Sequence, residues 1–453
     1  MLKKLGLMIG LLSLIGCTAE PQKPNIVFVV LDTVRSDATG VNTPALNRLA
    51  AKSAQFNNAY SAAPWTVPSH GSMFTGMLPS NHGCTFAHPK LSPLKTTIAS
   101  LLSKNDYKTV AFYSNPWLSD RATGLLHGFS EKHESPIGGL GKMTSKNNDQ
   151  GGRETMSNIS SWLNSNNEEP YFLFVNFLEA HLPFDPPADY RKKLLSDLPG
   201  DDSVSIGWGH EFNAGLYDPD EVDWSRIDRL YKGDVNHADR LLAALLKELG
   251  DLENTIVIVT SDHGENIGDH DLMEHQFSVD ETLISVPLVL YAPKYLGAGI
   301  YDQPVMTTDI FATVLELAAV EYSQPAHSKS LLHPEENSFA RPLVAEYTGP
   351  SPGLRDLIVG LNPDRETEEI FNFRRTVRSG NMRLTVAGET VKLHNMDIDP
   401  GQKTDIAEGN ESTVELLIEM LANPADSKWL EYDTDVELDP ETKRQLESLG
   451  YVR

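Results

Sequence analysis

Four short apolar runs, far apart in the chain, each stop at a polar residue able to bind a metal or an anion. Asn25–Leu31 stops at Asp32, Thr109–Tyr113 at Ser114-Asn115, Tyr171–Phe177 just before Glu179-Ala180-His181, and Thr255–Thr260 at Ser261-Asp262-His263. Each run is too short for a core helix and rich in β-branched or aromatic residues, so each reads as a strand covered on both faces. Val286–Tyr291 reads as a fifth. Helical patterns lie between or beyond them at 43–50, 96–103, 154–163, 227–249 and 309–317. The alternation predicts an α/β fold: a mostly parallel sheet flanked by helices on both faces. Parallel strands bring their carboxyl ends to one rim, where open α/β sheets bind ligands. Asp32, Asn115, His181, Asp262 and His263 are therefore expected to converge.

The stretch Ala63–Gly76 supplies hydroxyls. Pro64 and Pro68 stop any earlier element, Ser69 is placed as an N-cap, and Ser72 opens a short helix that Gly76 ends. The free amide N–H groups and the dipole of a helix start attract anions. A threonine held there, Thr66, can attack an anionic ester if a metal beside it lowers its pKa. Asp32, Asp262, His263 and the Thr66 oxygen make a four-ligand set of hard oxygens plus one imidazole. That set suits one divalent ion, Mn²⁺, Zn²⁺ or Mg²⁺, with Ca²⁺ a poorer match. Taken singly, each has a structural alternative: Asp262 as a helix cap, His263 as a packed surface residue, His181 as a turn residue before Pro183.

The flanks carry different information. Lys3 and Lys4, apolar Leu5–Ile15 and the ending Leu14-Ile15-Gly16-Cys17 read as a lipoprotein signal peptide over residues 1–17, with a bacterial lipobox. Lipidation of Cys17 would tether the protein to the bacterial cell envelope, facing the periplasm or on the outer membrane; the alternative is an uncleaved membrane anchor. Cys84 is then the one free cysteine, which excludes an intrachain disulfide. A formal charge of −25 argues against a nucleic-acid partner. Residues 138–152 and 197–223 read as surface loops. Beyond residue 340 the pattern turns to short strands at Phe373–Val377, Met382–Val386 and Thr390–His394, followed by helices at 412–421 and 441–449. This predicts a small C-terminal antiparallel sheet subdomain over 340–453, next to a catalytic domain over 24–330.

Several of these pieces, in this order, resemble the sulfatase family of the alkaline phosphatase superfamily. They are Pro24-Asn25-Ile26 through Leu31-Asp32-Thr33-Val34-Arg35-Ser36-Asp37, Thr43-Pro44-Ala45-Leu46, Pro64-Trp65-Thr66-Val67-Pro68-Ser69-His70, His181-Leu182-Pro183, Ser261-Asp262-His263-Gly264-Glu265, Val286-Pro287-Leu288 and His394–Gly401. The resemblance implies an alkaline-phosphatase-like fold and metal-dependent cleavage of an anionic ester. It also shows departures. Thr66 stands where the family has a Cys or Ser that is oxidised to formylglycine, His70 where it has an Arg, Thr33 where it has a second acid, and Asn115-Pro116-Trp117 where it has Lys-x-His. His275 falls where a basic residue helps the leaving group. These changes resemble phosphoryl-transferring relatives such as lipoteichoic-acid-synthase-like enzymes, which use a threonine nucleophile on one metal. The resemblance therefore implies a hydrolase or transferase for phosphate or sulfate esters, with phosphoesters favoured. Thr66 would be the nucleophile, one metal would sit on Asp32, Thr66, Asp262 and His263, and His181, His275 and Asn115 would bind ester oxygens or protonate the leaving group. His70 and Arg35 are weaker candidates for substrate binding. The substrate would be a small-molecule, glycan or lipid-headgroup ester. Sulfate hydrolysis through an unmodified threonine, headgroup transfer to an alcohol and a non-catalytic binding relative are the alternatives.

Overall fold

The computed structural model describes residues 22–137, 149–165, 170–194, 203–323, 325, 327–421 and 439–448. The signal peptide with Cys17, most of 138–152 and the start of 197–223 lie outside the described residues. No described helix is long and apolar enough to cross a membrane.

Strand β1 (Asn25–Leu31) is buried along its whole length. Because successive side chains face opposite sides of a strand, Ile26, Phe28 and Val30 enter one core, and Val27, Val29 and Leu31 enter another. The sheet around it also holds β2 (Ala54–Phe56), β3 (Lys108–Tyr113), β4 (Glu131–Glu134), β5 (Tyr171–Phe177), β6 (Thr255–Thr260), β7 (Leu288–Tyr291) and β8 (Gly299–Tyr301). Their spatial order is β8-β2-β7-β6-β1-β5-β3-β4. Helices α1 (Pro44–Ala50), α4 (Gly152–Ser165) and α6 (Trp224–Leu249) cover the Val27 face. Helices α2 (Thr66–Thr75), α3 (Ile98–Ser103) and α7 (Asp309–Leu317) cover the Phe28 face.

The five strands from β6 to β4 are parallel, as expected. The expectation for Val286–Tyr291 needs correcting, since β7 starts only after Pro287 and runs antiparallel to β6. The connection from β6 carries a small antiparallel pair, Asn266–Ile267 with Met273–Glu274, and a helical turn at Glu281–Ile284, in place of the crossover helix that usually joins parallel strands. The described part of 197–223, residues 203–223, is also more than a plain loop. It holds helix α5 (Ile206–Asn213), capped by Ser205, whose hydroxyl accepts the Trp208 N–H at 3.2 Å. Trp208, Phe212 and Trp224 pack together there, with Phe212 and Trp224 ring centres 5.0 Å apart.

A second sheet forms from β9 (Leu343–Tyr347), β10 (Arg374–Ser379), β11 (Met382–Ala387) and β12 (Thr390–Asn395), all antiparallel. Its first strand was not evident in the sequence. Helix α9 (Glu411–Leu421), which follows α8 (Pro352–Leu361), packs Leu417 and Leu421 against Val377, Leu384 and Leu393. This sheet is tied to the main body. The Glu346 N–H donates to the Ala62 carbonyl at 2.9 Å, and the Glu346 carboxylate accepts the Ser80 N–H at 2.7 Å. Helix α10 (Pro440–Ser448) returns to the main core through Leu446.

Candidate active site

Helix α2 starts earlier than the sequence suggested. Its N-cap is Trp65, and Thr66 is its first residue. Ser69 is therefore no cap: it lies inside the helix and donates its hydroxyl to the Asp262 carbonyl at 2.7 Å. Pro68 is tolerated because N–H groups in a first helical turn have no intrahelical acceptor. All ten residues of the helix are buried, and packing of this extent outweighs weak local propensity. Gly76 ends it in the left-handed conformation at φ 69°. The Thr66 hydroxyl thus lies at a helix start, at the carboxyl rim of the sheet.

Asn115, just past β3, joins the pieces. Its Nδ2 donates to Asp32 Oδ2 at 3.0 Å and to Thr66 Oγ1 at 3.3 Å. Its Oδ1 accepts the Trp117 N–H at 3.0 Å, which fixes the amide's orientation. A second amide, Asn176, also donates to Asp32 Oδ2 at 3.0 Å. Asp262 Oδ1 accepts the N–H groups of Thr33 at 3.2 Å and His263 at 3.0 Å. The Thr33 contact depends on a positive φ of 59°, a strained conformation for a β-branched residue. His263 Nδ1 donates to the Gly264 carbonyl at 2.8 Å, leaving Nε2 with its lone pair.

Asp32 Oδ1, Asp262 Oδ2 and His263 Nε2, all buried, have no hydrogen-bond partner among the described residues. The ligand atoms offered by these three residues all lie within 4.8 Å of one another. Burial, then the charge of Asp32, holds Asp262 well above the usual carboxylate range. Burial pushes the His263 ring down to about 4, so it is a neutral donor. Two dry carboxylates and a preoriented imidazole lone pair fit a divalent cation, which would both pair the orphaned atoms and relieve the repulsion.

His275 and His181 complete one wall. The ring centres of His263 and His275 are 4.5 Å apart, and those of His275 and His181 are 4.9 Å apart. His275 Nδ1 lies 3.4 Å from Glu265 Oε1. Burial, then His263 and His181, holds the His275 ring well below its ordinary value. Burial, then Glu274, holds Glu265 well above. The segment carrying His275 is strained: His270, Asp271, Glu274 and Phe277 all have positive φ. His181 Nδ1 donates to the Leu182 carbonyl at 2.7 Å.

The two weaker candidates are placed otherwise. His70 Nδ1 donates to the Thr66 carbonyl at 2.9 Å, and burial drives the ring down to about 4. Its 3.5 Å approach to Asp262 is therefore not an ion pair. The Arg35 guanidinium is committed to Asp37 at 2.7 and 2.8 Å, to Asp269 at 2.7 Å and to the Glu265 carbonyl at 3.1 Å. Sequence reasoning missed Asn176 and Glu265. Asn176 had a signal, being the single amide inside a buried apolar run.

A three-layer α/β body with a metal-competent rim and a helix-start hydroxyl defines an alkaline-phosphatase-like hydrolase. The sulfatase family model matches residues 24–320, and the chain belongs to that family of metal-dependent ester hydrolases. An arylsulfatase of Clostridium perfringens is 28% identical over 392 residues, covering 71% of this chain and 81% of the relative. An ulvan-active sulfatase of Formosa agariphila is 26% identical over 389 residues, covering 74% and 71%. Among solved structures, the phosphonate monoester hydrolase of Agrobacterium radiobacter superposes with a TM-score of 0.70 at 17% identity, covering 90% of this chain and 96% of that one.

Proposed function

We propose that this sulfatase-family hydrolase cleaves phosphate-type monoanionic or dianionic esters through Thr66. The observation that carries the reading is the shared amide of Asn115, which holds the Thr66 hydroxyl and the Asp32 carboxylate on one nitrogen. Asp32, Asp262 and His263 would hold a divalent cation, whose Lewis acidity would lower the threonine pKa and offset substrate charge. The Thr66 oxygen attacks the phosphorus in line as the bond to the ester oxygen breaks, and the hydroxyl proton of Thr66 is relayed by the wall of His181 and His275 to the departing ester oxygen. Asn115 Nδ2 steadies the charge that develops near Thr66. Water then cleaves the phospho-threonine, and the proton it loses returns through the same wall to the Thr66 oxygen, which regains its hydroxyl.

Threonine at the nucleophile position favours phosphate over sulfate chemistry because it offers no Cys or Ser for conversion to formylglycine. The one described cysteine, Cys84, is buried in the core. The fold shared with a phosphonate monoester hydrolase is compatible with this reading, whereas the curated relatives at 24–28% identity are named as sulfatases. Sulfate-ester hydrolysis through the unmodified threonine is therefore the second reading. Aryl phosphate, aryl phosphonate monoester and aryl sulfate, assayed side by side, separate the two. Thr66→Ala should lower kcat at least about 10³-fold, and wild type quenched with a slow phosphate ester should carry 80 Da (about one phosphoryl group) on the Thr66 peptide. Sulfate turnover exceeding phosphate turnover would reverse the preference, and an active Thr66→Ala would remove the nucleophile. We further infer that Cys17 is lipidated and tethers the enzyme to the cell envelope. Cys17→Ser should move it from the membrane to the soluble fraction.

A further inference from the structure

Outside the active site, Asp149, Glu179 and His237 form another cluster, and the ligand atoms they offer lie within 4.8 Å of one another. They come from three elements: the turn before α4, the segment after β5 and the middle of α6. Glu179 Oε1 accepts the Gly152 N–H at 2.8 Å, whereas Oε2 has no partner among the described residues. His237 is 6% exposed, yet neither ring nitrogen has a partner there. Asp149 lies at the protein surface side, 21% exposed, with Oδ1 accepting the Arg153 N–H at 3.2 Å. Buried polar atoms are nearly always paired, and an unpaired one is expensive. Here a carboxylate oxygen and an imidazole are both orphaned, within reach of a second carboxylate.

We propose that this cluster is a second divalent-cation site, with Asp149, Glu179 and His237 as ligands. Two carboxylates and one imidazole suit Zn²⁺ or Mn²⁺ rather than Ca²⁺. The site has a structural use. Gln150, adjacent to Asp149, donates its side-chain amide to the His181 carbonyl, and Glu179 precedes His181 by two residues. A cation here would fasten the start of α4 to the loop that presents His181, and so act as a positioning device for the wall described above.

The test is metal stoichiometry. Protein stripped with chelator is reloaded with Zn²⁺ or Mn²⁺, dialysed, and measured by mass spectrometry of the elements. Wild type should retain two equivalents per chain, and His237→Ala and Asp149→Lys one each. Asp149→Lys guards against misfolding, because its side chain reaches solvent. Asp262→Asn should also retain one, and adding Zn²⁺ should raise its Tm, whereas Asp149→Lys/Asp262→Asn should retain none and show no shift. One equivalent in wild type that Asp262→Asn loses entirely would overturn the second site. So would two equivalents retained by both His237→Ala and Asp149→Lys. Loss of one equivalent in these two variants, with none lost in Asp262→Asn, supports the second site while removing the ligand set assigned to the active centre.

Discussion

Asn176→Leu removes one of the two amides that hold Asp32 Oδ2. The swap is nearly isosteric, and the site is an inner strand whose neighbours are apolar, so the fold should tolerate it. The Asn176 Oδ1 has no partner among the described residues, so its loss orphans nothing there. What changes is the orientation of Asp32, which then rests on Asn115 alone. A donor that orients a metal ligand is typically worth 10–100-fold in metal affinity, about 1.4–2.8 kcal/mol. Competition against a chromophoric chelator at neutral pH reads this directly, with Asp32→Asn as the reference for a lost ligand. Asn115→Leu should be worse in kcat, because Asn115 also touches Thr66, while its effect on metal affinity should match. If Asn176→Leu binds metal as tightly as wild type while Asp32→Asn does not, Asn176 is merely a core residue and the orienting role is refuted.

The other predictions concern stability. His82 is fully buried; its Nδ1 accepts the Cys84 N–H at 3.1 Å while Nε2 faces the Pro68 carbonyl at 3.1 Å, and burial pushes the ring down to about 3. Unfolded His82 binds a proton first, so its contribution to stability is complete above pH 6.5 and lost at about 1.4 kcal/mol per pH unit toward pH 3. Urea unfolding at pH 7, 6 and 5 should show a shallower pH slope for His82→Gln than for wild type; equal slopes would refute it. Phe174→Ala, in the ring cluster with Phe28, Phe74 and Phe129, should destabilise by about 3–5 kcal/mol in chemical denaturation. Arg341→Met leaves Asp309 buried without its partners at 2.6 and 2.7 Å, and should lose about 3–5 kcal/mol; a loss under about 1 kcal/mol would mean that water reaches Asp309.

How much of the fold and the site was legible in the sequence depends on where the information lies. The inner strands announce themselves because β1, β3, β5 and β6 must be apolar on both faces, and the rim residues follow from chain direction alone. The short outer strands β2, β4 and β8 have three or four residues each, too few for a pattern, and are defined by their neighbours. The true start of α2 was hidden for a related reason. Proline and glycine inside Thr66–Thr75 argue locally against a helix, but Gly71 is needed: a Cβ there would lie 2.8 Å from the His82 ring. Tertiary packing, absent from local propensity, decides it.

Asn176 shows how the missed part could have been read. It pairs in register with Val30, two residues before Asp32, and alternation puts it on the same face as Phe174. That is the face covered by α2, hence by Thr66. An amide in such a run can be satisfied only by something at the rim on that side, and Asp32 is the acceptor available. The same logic explains the strain. Thr33 at φ 59° and Glu274 at φ 70° flank Asp32 and His275, and non-glycine residues in that region are disfavoured by about 1–3 kcal/mol. Strand direction brings the ligands to one rim but does not aim their atoms. Aiming them takes backbone turns that the chain adopts only because buried partners on all sides, Asp262 for Thr33 and His210 for Glu274, over-determine them, and no local pattern in the sequence records that.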